Sequence, residues 1–242
     1  MGKLTVILAI LVLFFGETIA IKRKPNKLIN NGTPAVFHLD LRANQGKRPV
    51  DETGINYCFG SGTGLVHEID GYKFTSGGSD YIECNNNTNV NITTSCTISM
   101  WFKQSTGLVS GVFKYGGAST QSYRLVVNSD NKIYWIFSTT GSNALYGSTA
   151  LTFPLNVWNH VAAVFDGNAS TNATRCIIYL NGIPMALNFA GSIPSSLFQT
   201  TATLQINRYN GSSYGNGKIG LIRMFRVPLT PTQVWQEYIN TK

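Results

Sequence analysis

Two segments about sixty residues apart constrain the fold of this chain more than any other feature. They are Thr97-Ile98-Ser99-Met100-Trp101-Phe102-Lys103 and Trp158-Asn159-His160-Val161-Ala162-Ala163-Val164-Phe165-Asp166-Gly167. Each is rich in β-branched and aromatic residues, with apolar side chains on alternate or both faces, and each reads as a central strand. The second leads on to Tyr179-Leu180-Asn181-Gly182, where Asn and Gly tolerate the positive φ angles of a type I′ hairpin turn. Ser129-Asp130-Asn131 marks another turn.

Strands, these two included, are expected near 36–42, 55–59, 65–75, 80–84, 96–103, 109–115, 122–128, 131–138, 144–152, 158–166, 174–180, 183–189, 202–208 and 217–227. Clusters of Gly, Asn, Ser and Asp separate them, and only 12% of residues are charged, about half the usual share. Many short strands at this spacing predict an all-β fold, a two-sheet antiparallel jelly-roll sandwich. One short helix closes it: Thr230 and Gln233 form a capping box, Pro231 fits the first turn, and Val234, Trp235, Tyr238 and Ile239 are expected on its buried face.

At the other end, Lys3, an apolar run from Val6 to Phe15 and small residues up to Ala20 describe a secretory signal peptide over residues 1–20. An uncleaved anchor held by Lys22-Arg23-Lys24 is the alternative. Residues 21–34 read as a flexible basic leader and 35–242 as one domain, with no second segment long enough to span a bilayer. A secreted or cell-surface location follows. The net charge of +8 has no stripe of interleaved arginines and aromatics, so nucleic acid is not an expected partner.

Four cysteines, an even number in a chain bound for an oxidising compartment, favour disulfides over metal ligation. Among the three possible pairings, Cys84 with Cys96 is favoured because the two bracket the Asn-Thr-rich loop between them. Cys58 with Cys176 then follows by elimination. Six Asn-x-Ser/Thr sequons, at Asn31, Asn86, Asn91, Asn168, Asn172 and Asn210, all fall in segments read as loops, where a glycan is tolerated.

The order Phe37-His38-Leu39-Asp40, Tyr72-Lys73-Phe74, Thr97–Lys103, Tyr123-Arg124-Leu125, Trp158-Asn159-His160-Val161, Tyr179–Gly182, Gly217–Phe225 and Leu229-Thr230-Pro231 is similar to the pentraxin and laminin-G-like branch of the concanavalin A-like superfamily, from about Ala35 to the end. That resemblance implies an extracellular, non-enzymatic module that binds carbohydrate or a glycoprotein. Relatives often use calcium, yet Gly220 and Leu221 stand where many carry aspartates. No metal site is therefore expected, with Asp40, Asp51, Glu52 and Asp80 the remaining carboxylates that could converge.

The β-glucanases of the superfamily use Glu-x-Asp-x-x-Glu. Here Glu68-Ile69-Asp70 is followed by Lys73 at the final position, so no catalytic residue is assigned and a degenerate hydrolase ranks third. A structural or adhesive surface or virion subunit ranks second. For sugar recognition, which needs aromatic faces and amides, the candidate is the 207–216 loop: Asn207, Arg208, Tyr209, Asn210, Tyr214 and Asn216. Trp101, Trp135 and Trp158 are expected in the core.

Overall fold

A computed structural model describes residues 32–43, 45–105 and 110–242, organised around two antiparallel sheets. The first runs β13 (Ile183–Pro184), β12 (Cys176–Leu180), β11 (Asn159–Asp166), β6 (Ser95–Gln104), β18 (Gly217–Phe225), β4 (Gly71–Phe74), β3 (Val66–Glu68), and β1 (Phe37–Asp40) also pairs with β18. The second runs β14 (Leu187–Ala190), β10 (Leu145–Thr149), β9 (Ile133–Phe137), β8 (Gln121–Val127), β7 (Ser110–Tyr115), β15 (Leu204–Ile206), β5 (Tyr81–Cys84), β2 (Cys58–Ser61). A small hairpin of β16 (Arg208–Tyr209) and β17 (Ser213–Tyr214) stands apart, and the described helices are α1 (Asn172–Arg175) and α2 (Pro231–Thr241). The expected jelly-roll-like sandwich is present.

Alternation builds the layers. On β6, Cys96, Ile98, Met100 and Phe102 enter the core between the sheets, so Thr97, Ser99, Trp101 and Lys103 face the other side. Opposite them the second sheet contributes Tyr123, Trp135 and Phe137, and Phe137 meets Phe165 of β11 at 4.9 Å between ring centroids. A second, smaller core forms on the outer face of the first sheet, where Val234 of α2 packs with Ala162, Val164, Tyr179, Phe225 and Leu229. The sandwich thus has a third, partial layer.

Several expectations change. The strand expected at 65–75 is a hairpin, β3 and β4 joined at Ile69-Asp70, and Ile69 is 93% exposed at its tip. The helix buries Val234, Glu237 and Thr241, whereas Trp235 and Ile239 are half exposed, because the sheet beneath offers polar partners rather than a uniformly apolar face. The beginning of the strand expected at 174–180 is taken by α1, whose Thr171 caps a single turn. The Asn181-Gly182 turn is formed as expected, with φ of 51° and 80°.

Both expected disulfides are replaced by one, Cys58–Cys84. These two residues are direct cross-strand partners on β2 and β5, with Cα atoms 4.1 Å apart. Cys96 and Cys176 are free and buried. They flank Phe165 on either side of β11, so two strand spacings, about 10 Å, separate their backbones. That exceeds the roughly 7 Å reach of a disulfide.

The expected signal peptide, and the basic leader up to residue 31, lie outside the described residues. Among the described residues no helix is long and apolar enough to cross a membrane.

Candidate functional site

The outer face of the first sheet is covered by α2 at one end and open at the other. What fixes the boundary is a buried polar cluster. The Glu237 carboxylate accepts from Arg223 Nη1 at 3.0 and 3.2 Å and from Ser99 Oγ at 3.2 Å, and Ser99 Oγ lies 2.9 Å from His160 Nε2. Trp101 Nε1 donates to Thr241 Oγ1 at 2.7 Å, and the Tyr238 ring stacks on Trp101 at 5.7 Å. Burial, then the Arg223 charge, pushes the His160 pKa down to about 3, so the imidazole is neutral. A serine, a histidine and a carboxylate in contact suggest nucleophilic chemistry, but the geometry opposes it. Glu237 touches Ser99 rather than the imidazole, and all three residues are at most 1% exposed.

Where α2 ends, a groove opens. Its cavity of about 410 Å³ is lined by Trp101, Trp158, Tyr238, Asn181, Asp70 and Arg42, among others. Trp158, expected in the core, is only partly buried. Its ring rests on β18, whose register shifts between Ile219 and Leu221. Gly220 sits in that irregularity, and a Cβ there would meet the Trp158 ring at 3.3 Å, so the indole lies against bare backbone. Trp158 Nε1 donates to Asp70 Oδ2 at 3.2 Å, and Asn181 Oδ1 is held by the His160 N–H at 2.8 Å. The aromatic surface is therefore oriented, with an amide, a carboxylate and a guanidinium at its rim.

Asp70 also joins this groove to its neighbour. Lys218 Nζ is ion-paired to Asp70 Oδ1 at 2.9 Å and to Glu68. Lys218 lines an adjoining cavity of about 310 Å³ together with Lys73, Lys103, Thr75, Asn156 and Asn216. Partial burial raises the Asp70 pKa, but hydrogen bonds from Lys218 and Trp158 outweigh it and leave the carboxyl below its usual range. A glycosidase acid needs the opposite shift. Glu68 and Asp70 are thus committed to a lysine and to positioning Trp158.

The residues of the 207–216 loop are distributed rather than gathered. Asn207 is 1% exposed at φ 63°, donating to the carbonyls of Asp80 (2.9 Å) and Gly215 (3.2 Å) and accepting from Ser110 (2.7 Å). Arg208 pairs with Glu83 and lies 3.7 Å over the Tyr81 ring. Tyr209 packs on Phe113 and Tyr115, with the Arg124 guanidinium 5.0 Å from its centroid, on the outer face of the second sheet. Asn210 accepts from Tyr115 OH at 3.1 Å, and Tyr214 donates to the Gly211 carbonyl at 3.1 Å. Asn216 alone reaches the cavity adjoining the groove on the first sheet, its Oδ1 held by the Ser76 N–H at 2.6 Å.

Of the remaining carboxylates, Asp51 and Asp80 organise turns. Asp51 accepts from His38, Thr53 and Asn56, and Asp80 from Gly64 and Thr75. Asp40 and Glu52 do come together with His38, their ligand atoms within 4.8 Å. Arg42, however, grips both oxygens of Asp40 at 2.8 Å.

Fold and groove together define a lectin-like β-sandwich, a scaffold with an aromatic-floored cleft on one sheet. The family described as the Concanavalin A-like lectin/glucanases superfamily, of laminin-G type, matches residues 76–235, and the chain belongs to it. Its fold is similar to the binding domain of Paraclostridial Mosquitocidal Protein 1 (15% identity, TM-score 0.63, 86% of this chain and 52% of that one). It is also similar to the botulinum neurotoxin serotype G binding domain (14%, 0.64, 86% and 51%). A third similar structure is described by the statement that cell entry of botulinum neurotoxin type C is dependent upon interaction with two ganglioside molecules (13%, 0.64, 86% and 51%). The chain spans about half the length of these structures, and at such identities the likeness concerns the fold. No curated protein matches it in sequence.

Proposed function

We propose that the chain is an extracellular, non-enzymatic recognition module that binds carbohydrate in the Trp158 groove. One observation carries this reading: a partly exposed indole, set against Gly220 and tethered through Asp70, beside Trp101, Tyr238 and the amide of Asn181. A pyranose needs an aromatic surface for its C–H face and fixed polar groups for its hydroxyls, and the groove supplies both. The Cys58–Cys84 disulfide supports an oxidising compartment. The gangliosides named for one similar structure are sugar-bearing, which agrees with the reading. Asn216 lines the cavity adjoining the groove and is proposed to contact the next sugar. Arg208 and Asn210, which line a separate cavity of about 280 Å³ with Tyr115, are proposed as an auxiliary contact.

A glycan array tests the proposal. Binding to defined oligosaccharides is expected, inhibited by free sugar and weakened at least about tenfold by Trp158→Ala, the loss of roughly 1.4 kcal/mol of stacking. Arg208→Ala with Asn210→Ala is expected to weaken it by less. A silent array, or binding indifferent to Trp158→Ala, would exclude the groove.

A further inference from the structure

The row of side chains at the open end of the groove is unusual in its charge. Lys218 of β18 is the direct cross-strand partner of Lys73 on β4 and of Lys103 on β6. Three lysines therefore stand side by side on one face of three adjacent strands, the outer two roughly 10 Å apart. Like charges placed directly opposite destabilise a sheet. Among the described residues only the central one is ion-paired, to both Glu68 and Asp70, and the three lysines with these two carboxylates leave one net positive charge. Among the described residues Lys73 and Lys103 have no ion-pair partner. Both line the 310 Å³ cavity, whose other walls offer Thr75, Ser105, Asn156 and Asn216.

We infer that this row is an anion subsite, and that the groove recognises glycans carrying sulfate or carboxylate groups. The inference rests on the carbohydrate reading and names the class of sugar. Continuity supports it: Lys218 belongs to the lysine row, and its partner Asp70 holds Trp158, so a sugar on the indole places its neighbouring residue over the lysines. Two uncommitted cations at this spacing suit two negative groups on successive sugars. The cavity's hydroxyls and amides suit a polyhydroxylated ligand.

Calorimetric titration decides the matter, using a sulfated dextran fragment, an unsulfated fragment of equal length, and single-stranded DNA of equal charge. The sulfated fragment is expected to bind at least about tenfold tighter than the unsulfated one. Lys73→Gln and Lys103→Gln should each remove about tenfold of that affinity and leave neutral oligosaccharide binding within about twofold. The preference should also shrink at high salt. These lysines are solvent-accessible, so the variants are expected to fold, with unchanged thermal unfolding as the control. Three results would overturn the inference: no gain from sulfation, a gain insensitive to both substitutions, or DNA binding as tightly as the sulfated fragment. If Trp158-dependent binding to neutral sugars persists in such a case, the carbohydrate reading stands without it. If the array and both dextran fragments are silent, both fall together.

Discussion

His160 shows how much one residue's role depends on its surroundings. The sequence places it inside a strand, packed rather than catalytic, and it is indeed fully buried, its ring beside the stacked rings of Trp101 and Tyr238. Its lowered pKa has a consequence for stability. Between pH 6.5 and about 3 the unfolded chain takes up a proton at this position that the folded chain does not, so stability falls as pH falls through that range. His38 acts in the same direction, held to about 4 by burial and the Arg223 charge. Thermal unfolding should therefore shift downward from pH 6.5 to pH 4, by an amount on the order of a few kcal/mol in stability, and His160→Gln should flatten the profile. A flat profile in the parent chain would contradict a buried neutral imidazole. Trp158 shows the converse: its place at a predicted strand suggests core, yet its indole lies only partly buried on the outer face of the first sheet, packed on Gly220.

At the scale of the element, α2 was half legible. Its capping box is local chemistry, and Thr230 and Gln233 form it reciprocally, the Gln233 N–H donating to Thr230 Oγ1 at 3.3 Å and the Thr230 N–H to Gln233 Oε1 at 2.9 Å. Its buried face was not legible, because apolar periodicity points to Trp235 and Ile239, whereas Arg223 and Ser99 beneath it require Glu237. Glu237→Ala leaves the Arg223 charge buried without its counterion and should destabilise the fold by about 3–5 kcal/mol. Thr230→Ala should cost about 1 kcal/mol. Urea denaturation would measure both, and equal small effects would mean that α2 is held by its apolar contacts alone. The β3–β4 hairpin carried a local signal in Asp70-Gly71, with Gly71 at φ 151°, but the apolar and aromatic residues on both sides read as one continuous strand; the turn is fixed by the pairing of both arms and by Lys218 gripping Glu68 and Asp70.

For the whole molecule, the disulfide is the feature on which chain order misleads. Proximity in sequence favours Cys84 with Cys96, but sheet pairing brings Cys58 opposite Cys84. Alkylation at pH 8 should therefore modify no thiol in the native protein and two after denaturation, at Cys96 and Cys176. Burial shields both, and it pushes the Cys176 thiol up to about 12. Labelling of Cys58 or Cys84 without reduction would refute the pairing. Reduction should lower stability by about 3.5 kcal/mol, the chain-entropy value for a span of 26 residues. What the sequence determined by itself was the layered β architecture, the Asn181-Gly182 turn and the helix cap, since alternation, positive φ and capping are set by neighbours along the chain. The tertiary structure decided the cysteine partners, the exposure of Trp158, the buried Glu237–Arg223 pair and the row of three lysines. Each of these joins strands far apart in sequence, and strand register is settled only when both sheets bury their inner faces together.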